Sequence, residues 1–422
     1  MKMKIQLAGL FAAPLALLLG CGDDTPRGIG KSDTTLVTDT AVGTDITDTD
    51  VAVVADVAVG QDVAADTTTV TFLPNACDAG TPCTRGSCYS GVCIEAPPEG
   101  LTSTLTDPST ALPSDIPVNL SCADQTLAAP VETKMTTVAG ALARFGSGRL
   151  TTGLRVDFIL ADGFDPTPCE AIADHAAQKT CFRALGPIVG TATTTSRVLD
   201  TVLPTTCTHH EECPVGYQCY DPHDLSGTCE EQFGVYEIVG LPLDTRLIVR
   251  SYPLTVNDQD RWHDTWMFNV VLTSDAEADG KVPYDAQIVS ASQWQTTTNS
   301  VGLSDIPITN GGIGGRVRDC HDGTRESWPI TDVRINLAQK AQKVIYFNNL
   351  EDDTVPLVDR ETTNIHGRFA ALDIPSGWNA IAGVARIAGE LRTIGAQRIY
   401  IFPDSLTIAS WPGYNPFWRQ KD

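Results

Sequence analysis

Thirteen cysteines are the residues of this chain most capable of chemistry, since a thiolate can ligate a metal, attack an electrophile or close a disulfide. Eight lie in two tight clusters, Cys77, Cys83, Cys88 and Cys93 (CDAGTPCTRGSCYSGVC) and Cys207, Cys213, Cys219 and Cys229 (CTHHEECPVGYQCYDPHDLSGTC). Both spans are too short to build an apolar core, so cross-links must hold them. Zinc would call for Cys-x2-Cys spacing, which neither cluster has, although His209 and His210 stand in the second. Disulfides are the expectation, with three connectivities open within each cluster. Cys169 and Cys181 enclose a stretch of helical composition, CEAIADHAAQKTC, read as a helical insertion pinned by their bond. Cys122 and Cys320 then remain to pair with each other. An odd count leaves one over, Cys21.

Other chemistry is sparse. Asp275, Glu277 and Asp279 alternate before Gly280, as at the start of a calcium loop, but the twelfth position is Ala286 where a bidentate carboxylate is needed. A solvated turn is expected there, with calcium the one metal option. Neither a Gly-x-Ser-x-Gly elbow nor a His-Glu-x-x-His pair occurs. The run Gly311-Gly312-Ile313-Gly314-Gly315 precedes a strand pattern and not a helix, so it cannot offer a helix N-terminus to phosphate and reads as a turn. The aromatic tail from Trp411 through Tyr414 and Phe417 to Trp418 could stack on sugar or anchor a partner, but a terminal aromatic segment more often packs on its own domain.

The unpaired Cys21 acquires a meaning from what precedes it. Lys2 and Lys4 open the chain, an uncharged apolar run follows from Ile5 to Leu19, and small Gly20 comes just before the cysteine. Such a run is short for a membrane span and reads as a signal peptide. Leu18-Leu19-Gly20-Cys21 resembles the bacterial lipobox, which implies cleavage before Cys21 and acylation of its thiol. Several acyl chains on one residue would anchor the protein stably, at about 0.8 kcal/mol per buried methylene. The implied location is the cell envelope, with the outer membrane expected because Gly22 follows the cysteine, and with the chain facing periplasm or exterior. Export in turn favours disulfides in the other twelve cysteines.

Residues 22–72 hold ten Asp against one Arg and one Lys, in an alphabet of Thr, Val, Ala and Gly that reaches its first aromatic at Phe72. Such a segment cannot bury enough apolar surface to offset chain entropy, and a disordered stalk is expected. The formal charge of the whole chain is −23, which repels nucleic acid and excludes it as a principal partner.

Beyond the stalk, apolar and polar residues alternate with β-branched enrichment between Gly and Pro turns, the pattern of half-buried strands. It recurs, once from Val138 through Val156 and Phe158 to Leu241-Pro242, and again from Ile313 through Val333 and Ile335 to Phe369 and Ile374-Pro375. The second copy, through Thr363, Gly367, Phe369, Ile374, Pro375 and Gly377, resembles the carboxypeptidase regulatory-like family, implying a transthyretin-like sandwich without zinc or catalysis. The cluster at 207–229 resembles the Dickkopf N-terminal type of cysteine-rich module. The fold class expected is therefore mainly β: tandem transthyretin-like or Ig-like β-sandwiches with small disulfide-rich modules and a disordered N-terminal stalk. The expected divisions are a signal peptide 1–20, anchor and stalk 21–73, a cysteine-rich module 74–98, a linker 99–135, a first sandwich 136–305 with a cysteine-rich insertion 205–232, and a second sandwich 306–422. A non-enzymatic lipoprotein with a binding or structural role follows as the expectation, its partners being membrane lipid through Cys21 and a protein or glycan ligand. The rival expectation, an envelope hydrolase or metal-dependent enzyme, would need a site assembled from distant residues.

Overall fold

The computed structural model describes residues 77, 82–123, 134–145, 151–196, 217–220, 228–231, 233–255, 261–277, 280–320, 327–350 and 355–411. The signal peptide, Cys21, the stalk, Cys207, His209, His210, Cys213, Asp279 and the tail beyond Trp411 lie outside them.

The described residues open on a small knot. Strands β1 (Ser87–Tyr89) and β2 (Val92–Ile94) form a hairpin with Cys88 opposite Cys93. Its two-residue turn, Ser90-Gly91, has φ of 49° and 80°, the doubly left-handed geometry that matches strand twist. Disulfides Cys77–Cys88 and Cys83–Cys93 stand in for a core. The next segment, within the stretch read as a linker, carries the hairpin β3 (Leu105–Asp107) and β4 (Leu112–Ser114).

The first sandwich follows. One of its sheets runs in the order β7 (Ile188–Thr193), β6 (Leu154–Leu160), β12 (Arg246–Pro253) and β13 (Trp262–Val271). Facing it are β5 (Met135–Arg144), β8 (Thr195–Ser196) and β11 (Phe233–Pro242), with β14 (Lys281–Pro283) and β15 (Ala286–Ser290) beside β5. Val138, Leu142, Val156, Phe158, Val249 and Met267 meet between the two sheets. Between β6 and β7 the chain makes two helices, α1 (Thr167–Glu170) and α2 (His175–Ala184). Between β8 and β11 it makes the ribbon β9 (Tyr217–Tyr220) and β10 (Thr228–Glu231), with Cys219 opposite Cys229. Helix α3 (Ala291–Ser300) closes this half, capped by Ser290, whose hydroxyl accepts from Gln293 N.

In the second sandwich β16 (Asn310–Arg316), β18 (Lys343–Phe347), β19 (Pro356–Leu357) and β20 (Arg368–Pro375) form one sheet. Strands β17 (Arg334–Leu337), β21 (Gly377–Ile387) and β22 (Glu390–Ile401) form the other. Gly367 enters β20 at φ 65°, Phe369 and Ile374 are buried, and Pro375 ends the strand.

The halves are welded together. Strand β23 (Ser405–Ile408) lies parallel between β16 of the second half and β13 of the first. One sheet of 14 strands thus runs through both sandwiches among the described residues. All four residues of β23 are buried, as befits a central parallel strand covered on both faces. Apolar contact continues the weld, with Phe402 stacked on Trp266 at 3.7 Å between ring centroids.

The glycine run also departs from its expectation, because it is strand β16 itself and not a turn. Glycine is a poor strand former, and the reason it serves here is close approach. A Cβ on Gly312 would stand 2.6 Å from the Trp294 ring, and one on Gly314 would stand 2.6 Å from Phe145. Ring edges from the first half press against bare backbone of the second.

The N-terminal segment packs on the second half, ahead of the first half in sequence. Leu105 is fully buried in that half's core and bridges Ile330. Glu95 pairs with Arg334 at 2.8 Å, and Ser103 N donates to Arg386 O. Cys122–Cys320 joins this strap covalently to the chain just beyond β16.

Candidate functional site

Two places gather polar chemistry. The first is a charged junction where α2 meets both halves. His175, Lys179 and Arg183 recur every fourth residue and so share one helix face. Asp174 caps the helix by accepting from Ala177 N, and the disulfide Cys169–Cys181 ties α2 to α1. Arg183 grips Asp264 of β13 as a fork, with contacts of 2.7 and 2.6 Å. Lys179 Nζ lies 3.1 Å from Asp404 Oδ2 and 3.8 Å from Asp264 Oδ1, and His263 Nδ1 is 2.9 Å from Asp404 Oδ1. With each carboxylate oxygen engaged, the cluster acts as a clamp from the helical insertion across β13 to the turn before β23.

Burial pushes the Asp404 carboxyl up, but the hydrogen bond and charge of His263, with those of Lys179, outweigh it and hold the group down to about 2. Its contribution is present above the unfolded value of about 3.9 and is lost as pH falls through about 2. Asp404 has φ 49°, a conformation that asparagine tolerates. Asp404→Asn should therefore keep the backbone, lower stability at neutral pH by about 1–2 kcal/mol, and flatten the loss of stability between pH 4 and 2. Urea unfolding across that range checks it; an unchanged acid profile would count against the clamp.

A second gathering is an open cleft of about 700 Å³ between the halves. Its floor is the outer face of β16 and β20. Strand alternation puts Arg316 and Arg318 on the same face as Gly312 and Gly314, and Arg368 on the same face as Ala370 and Leu372. One wall is α3, presenting Ser292, Gln293, Trp294, Thr296 and Thr297. The opposite wall holds Phe145, Asp285 and Gln287 from the ends of β5 and β15. Trp294 is half-buried, tilted against the His263 ring at 5.3 Å. Asp285 is the one carboxylate among the described lining residues, and its Oδ1 accepts from Ala141 N at 2.9 Å. This volume falls in the range of small-ligand sites. A lining of rings, amides, hydroxyls and guanidinium groups can bind and orient a polar ligand with flat apolar faces.

The residues singled out from sequence lie elsewhere. Cys77, Cys83 and Cys93 form the single metal-like grouping among the described residues, and all three are in disulfides. Glu277 accepts from Thr136 Oγ1 at 2.7 Å, in a short turn after β13; the side chain of Asp275 and all of Asp279 lie outside the described residues. Trp411 is buried against Phe369, and its indole N–H donates to Gly395 O. The cleft residues carry little signal in sequence because α3 is rich in Ser and Thr, whose hydroxyls compete for backbone hydrogen bonds and disfavour a helix interior. A usable signal was nonetheless present: Gly312, Gly314, Arg316 and Arg318 repeat every second residue, which marks a strand face with two cations at one end.

No protein-family model matches this chain, and no curated protein matches it. Among solved structures the chain is similar to a double mutant of the shaft pilin SpaA from Lactobacillus rhamnosus GG, at 10% identity, covering 66% of this chain and 97% of that one with a TM-score of 0.17. It is also similar to GBS52, a minor pilin of Streptococcus agalactiae, at 10% identity, 65% and 94% coverage and a TM-score of 0.18. Superpositions this loose support no conclusion about kinship or role.

Proposed function

We propose that this chain is a non-catalytic envelope lipoprotein that binds a ligand in the cleft between its two sandwiches. The carrying observation is the cleft itself, about 700 Å³ walled by aromatic rings, uncharged hydrogen-bonding groups and three arginines. It is formed by elements that the weld and the charged junction hold in fixed relation, and preorganisation of that kind favours binding. The small knot and the strap dock on the second sandwich and lend it support. Lipid on Cys21 would hold the assembly at the membrane, with residues 22–73 as the tether. Among the described residues no helix is long and apolar enough to cross a bilayer, so the anchor reading rests on the N-terminal residues.

Each part has its own test. Cys21→Ser should move the protein from the membrane fraction to the soluble fraction of cell lysates; retention in the membrane would remove the lipid anchor from the account. Thr296 is exposed on α3 at the cleft rim, where a large ring would obstruct entry without disturbing the core. Immobilised wild-type protein should retain a component of solubilised cell envelope that the Thr296→Trp variant fails to retain. Equal retention by both would place binding outside the cleft.

A further inference from the structure

Resting on that reading, we infer that the cleft takes a neutral oligosaccharide, a short chain of uncharged sugars. The side chains that the fold leaves without partners carry this. Gln287 and Gln293 stand half-buried on facing walls of the cleft, and among the described residues neither side-chain amide has a hydrogen-bond partner. Gln293 shares its helix face with Thr296 and Thr297, three and four residues on, and Asp285 shares a strand face with Gln287. Asp285 engages Oδ1 with Ala141 N and keeps Oδ2 to accept. Each amide both donates and accepts, and a carboxylate accepts from hydroxyls, so the two walls together suit a ligand rich in hydroxyl groups. The rings of Phe145 and Trp294 line the cleft above Gly314 and Gly312, apolar surface for the C–H side of a pyranose.

Other ligand classes meet specific obstacles. An anion gains little from the floor, because its three arginines are all engaged within the protein, Arg318 with Ser327 O and Arg368 with Leu350 O among their bonds. It is also opposed by Asp285, exposed on the wall, and by a chain of net charge −23. An extended peptide cannot add itself as a strand, because β16 is paired on both sides by β20 and β23, and β20 by β16 and β18. A wholly apolar ligand would take water from Gln287 and Gln293 and return no hydrogen bond. A neutral sugar satisfies the amides and covers the rings at once.

The test is calorimetric titration of detergent-solubilised full-length protein with maltotetraose, cellotetraose and tetra-N-acetylchitotetraose, and with tetragalacturonate as the charged control. At least one neutral tetramer should bind, more tightly than the uronate and with an affinity that salt leaves unchanged. Gln287→Ala and Gln293→Ala should each raise Kd about fivefold to tenfold. Gln295→Ala, exposed on the same helix but outside the lining, should leave Kd unchanged. Far-ultraviolet circular dichroism of the variants should match wild type, so that a loss reports the site and not the fold. Tighter binding of tetragalacturonate would overturn the neutral class while leaving a cleft ligand standing. Neutral binding indifferent to both Gln287→Ala and Gln293→Ala would overturn the site. Absence of heat with all three neutral tetramers at millimolar concentration would overturn the saccharide assignment. In that event the envelope-retention comparison of Thr296→Trp with wild type still judges the cleft on its own.

Discussion

Replacing Asp157 with alanine should lower the stability of the fold by about 3–5 kcal/mol, the cost of stranding a buried cation. Asp157 and Arg250 are both completely buried and paired with each other on β6 and β12. The Asp157 carboxylate also accepts from Thr191 Oγ1 and from Arg155 Nε, so the desolvation that would push its pKa up is outweighed, chiefly by the Arg250 charge, and it titrates below its ordinary range. Arg250 lies between the Tyr252 and Trp266 rings and donates to Phe182 O, the carbonyl that fixes α2 to the sheet. Without Asp157 the guanidinium keeps one carbonyl and two ring faces against its full desolvation. The double variant Asp157→Leu with Arg250→Met removes both charges and fills similar space, so it should recover most of the loss. Urea unfolding of the single and double variants checks this. If the double variant is as unstable as Asp157→Ala, the loss comes from packing and not from the stranded charge.

The second large effect belongs to the strap. Cys122–Cys320 spans 198 residues, the whole first sandwich among them. In the chain-entropy model such a loop contributes about 5 kcal/mol, against about 3 kcal/mol for a loop the size of that closed by Cys169–Cys181. Both cysteines of a pair should be replaced by serine to avoid a free thiol. The Cys122→Ser, Cys320→Ser protein should then unfold at distinctly lower urea than the Cys169→Ser, Cys181→Ser protein. It should also expose the strap first, seen as faster proteolysis between Leu105 and Cys122. The reverse order of stabilities would mean that the contacts of Glu95, Ser103 and Leu105 hold the strap without the disulfide.

The β class of this protein was legible because its strands obey alternation. Leu154, Arg155, Val156, Asp157 and Phe158 show it in sequence, and the turn glycine ahead of Phe369 adopts the positive φ that its neighbours imply. Disulfide support for the small knot was legible from four cysteines in a span that has no core. What alternation could not convey is partnership. Ser405–Ile408 is four residues long, and its role as the strand shared by two sandwiches depends on contacts with Asp264–Met267, more than a hundred residues earlier. The glycine run misled for a physical reason, since glycine's strand value at 312 and 314 comes from what lies above it, and Trp294 and Phe145 arrive from the other half. The cleft was hidden on both sides of the same fact: α3 holds five Ser and Thr against Ala291, Gln293 and Gln295 as helix formers, and it depends on its Ser290 cap and on the sheet beneath it, where Trp294 packs with Phe347 and Leu372. Tertiary contact made a helix out of a sequence with little tendency to form one.

A ligand held in the cleft must enter between the sandwiches. Hydrogen exchange of the detergent-solubilised protein, with and without solubilised envelope of the cells that make it, tests this most directly. Slower exchange across Ala291–Ser300 and at Arg316 and Arg318, with the hairpin Ser87–Ile94 of the small knot unchanged, is the result predicted. Protection confined to the knot or to the strap, with α3 exchanging as before, would contradict it.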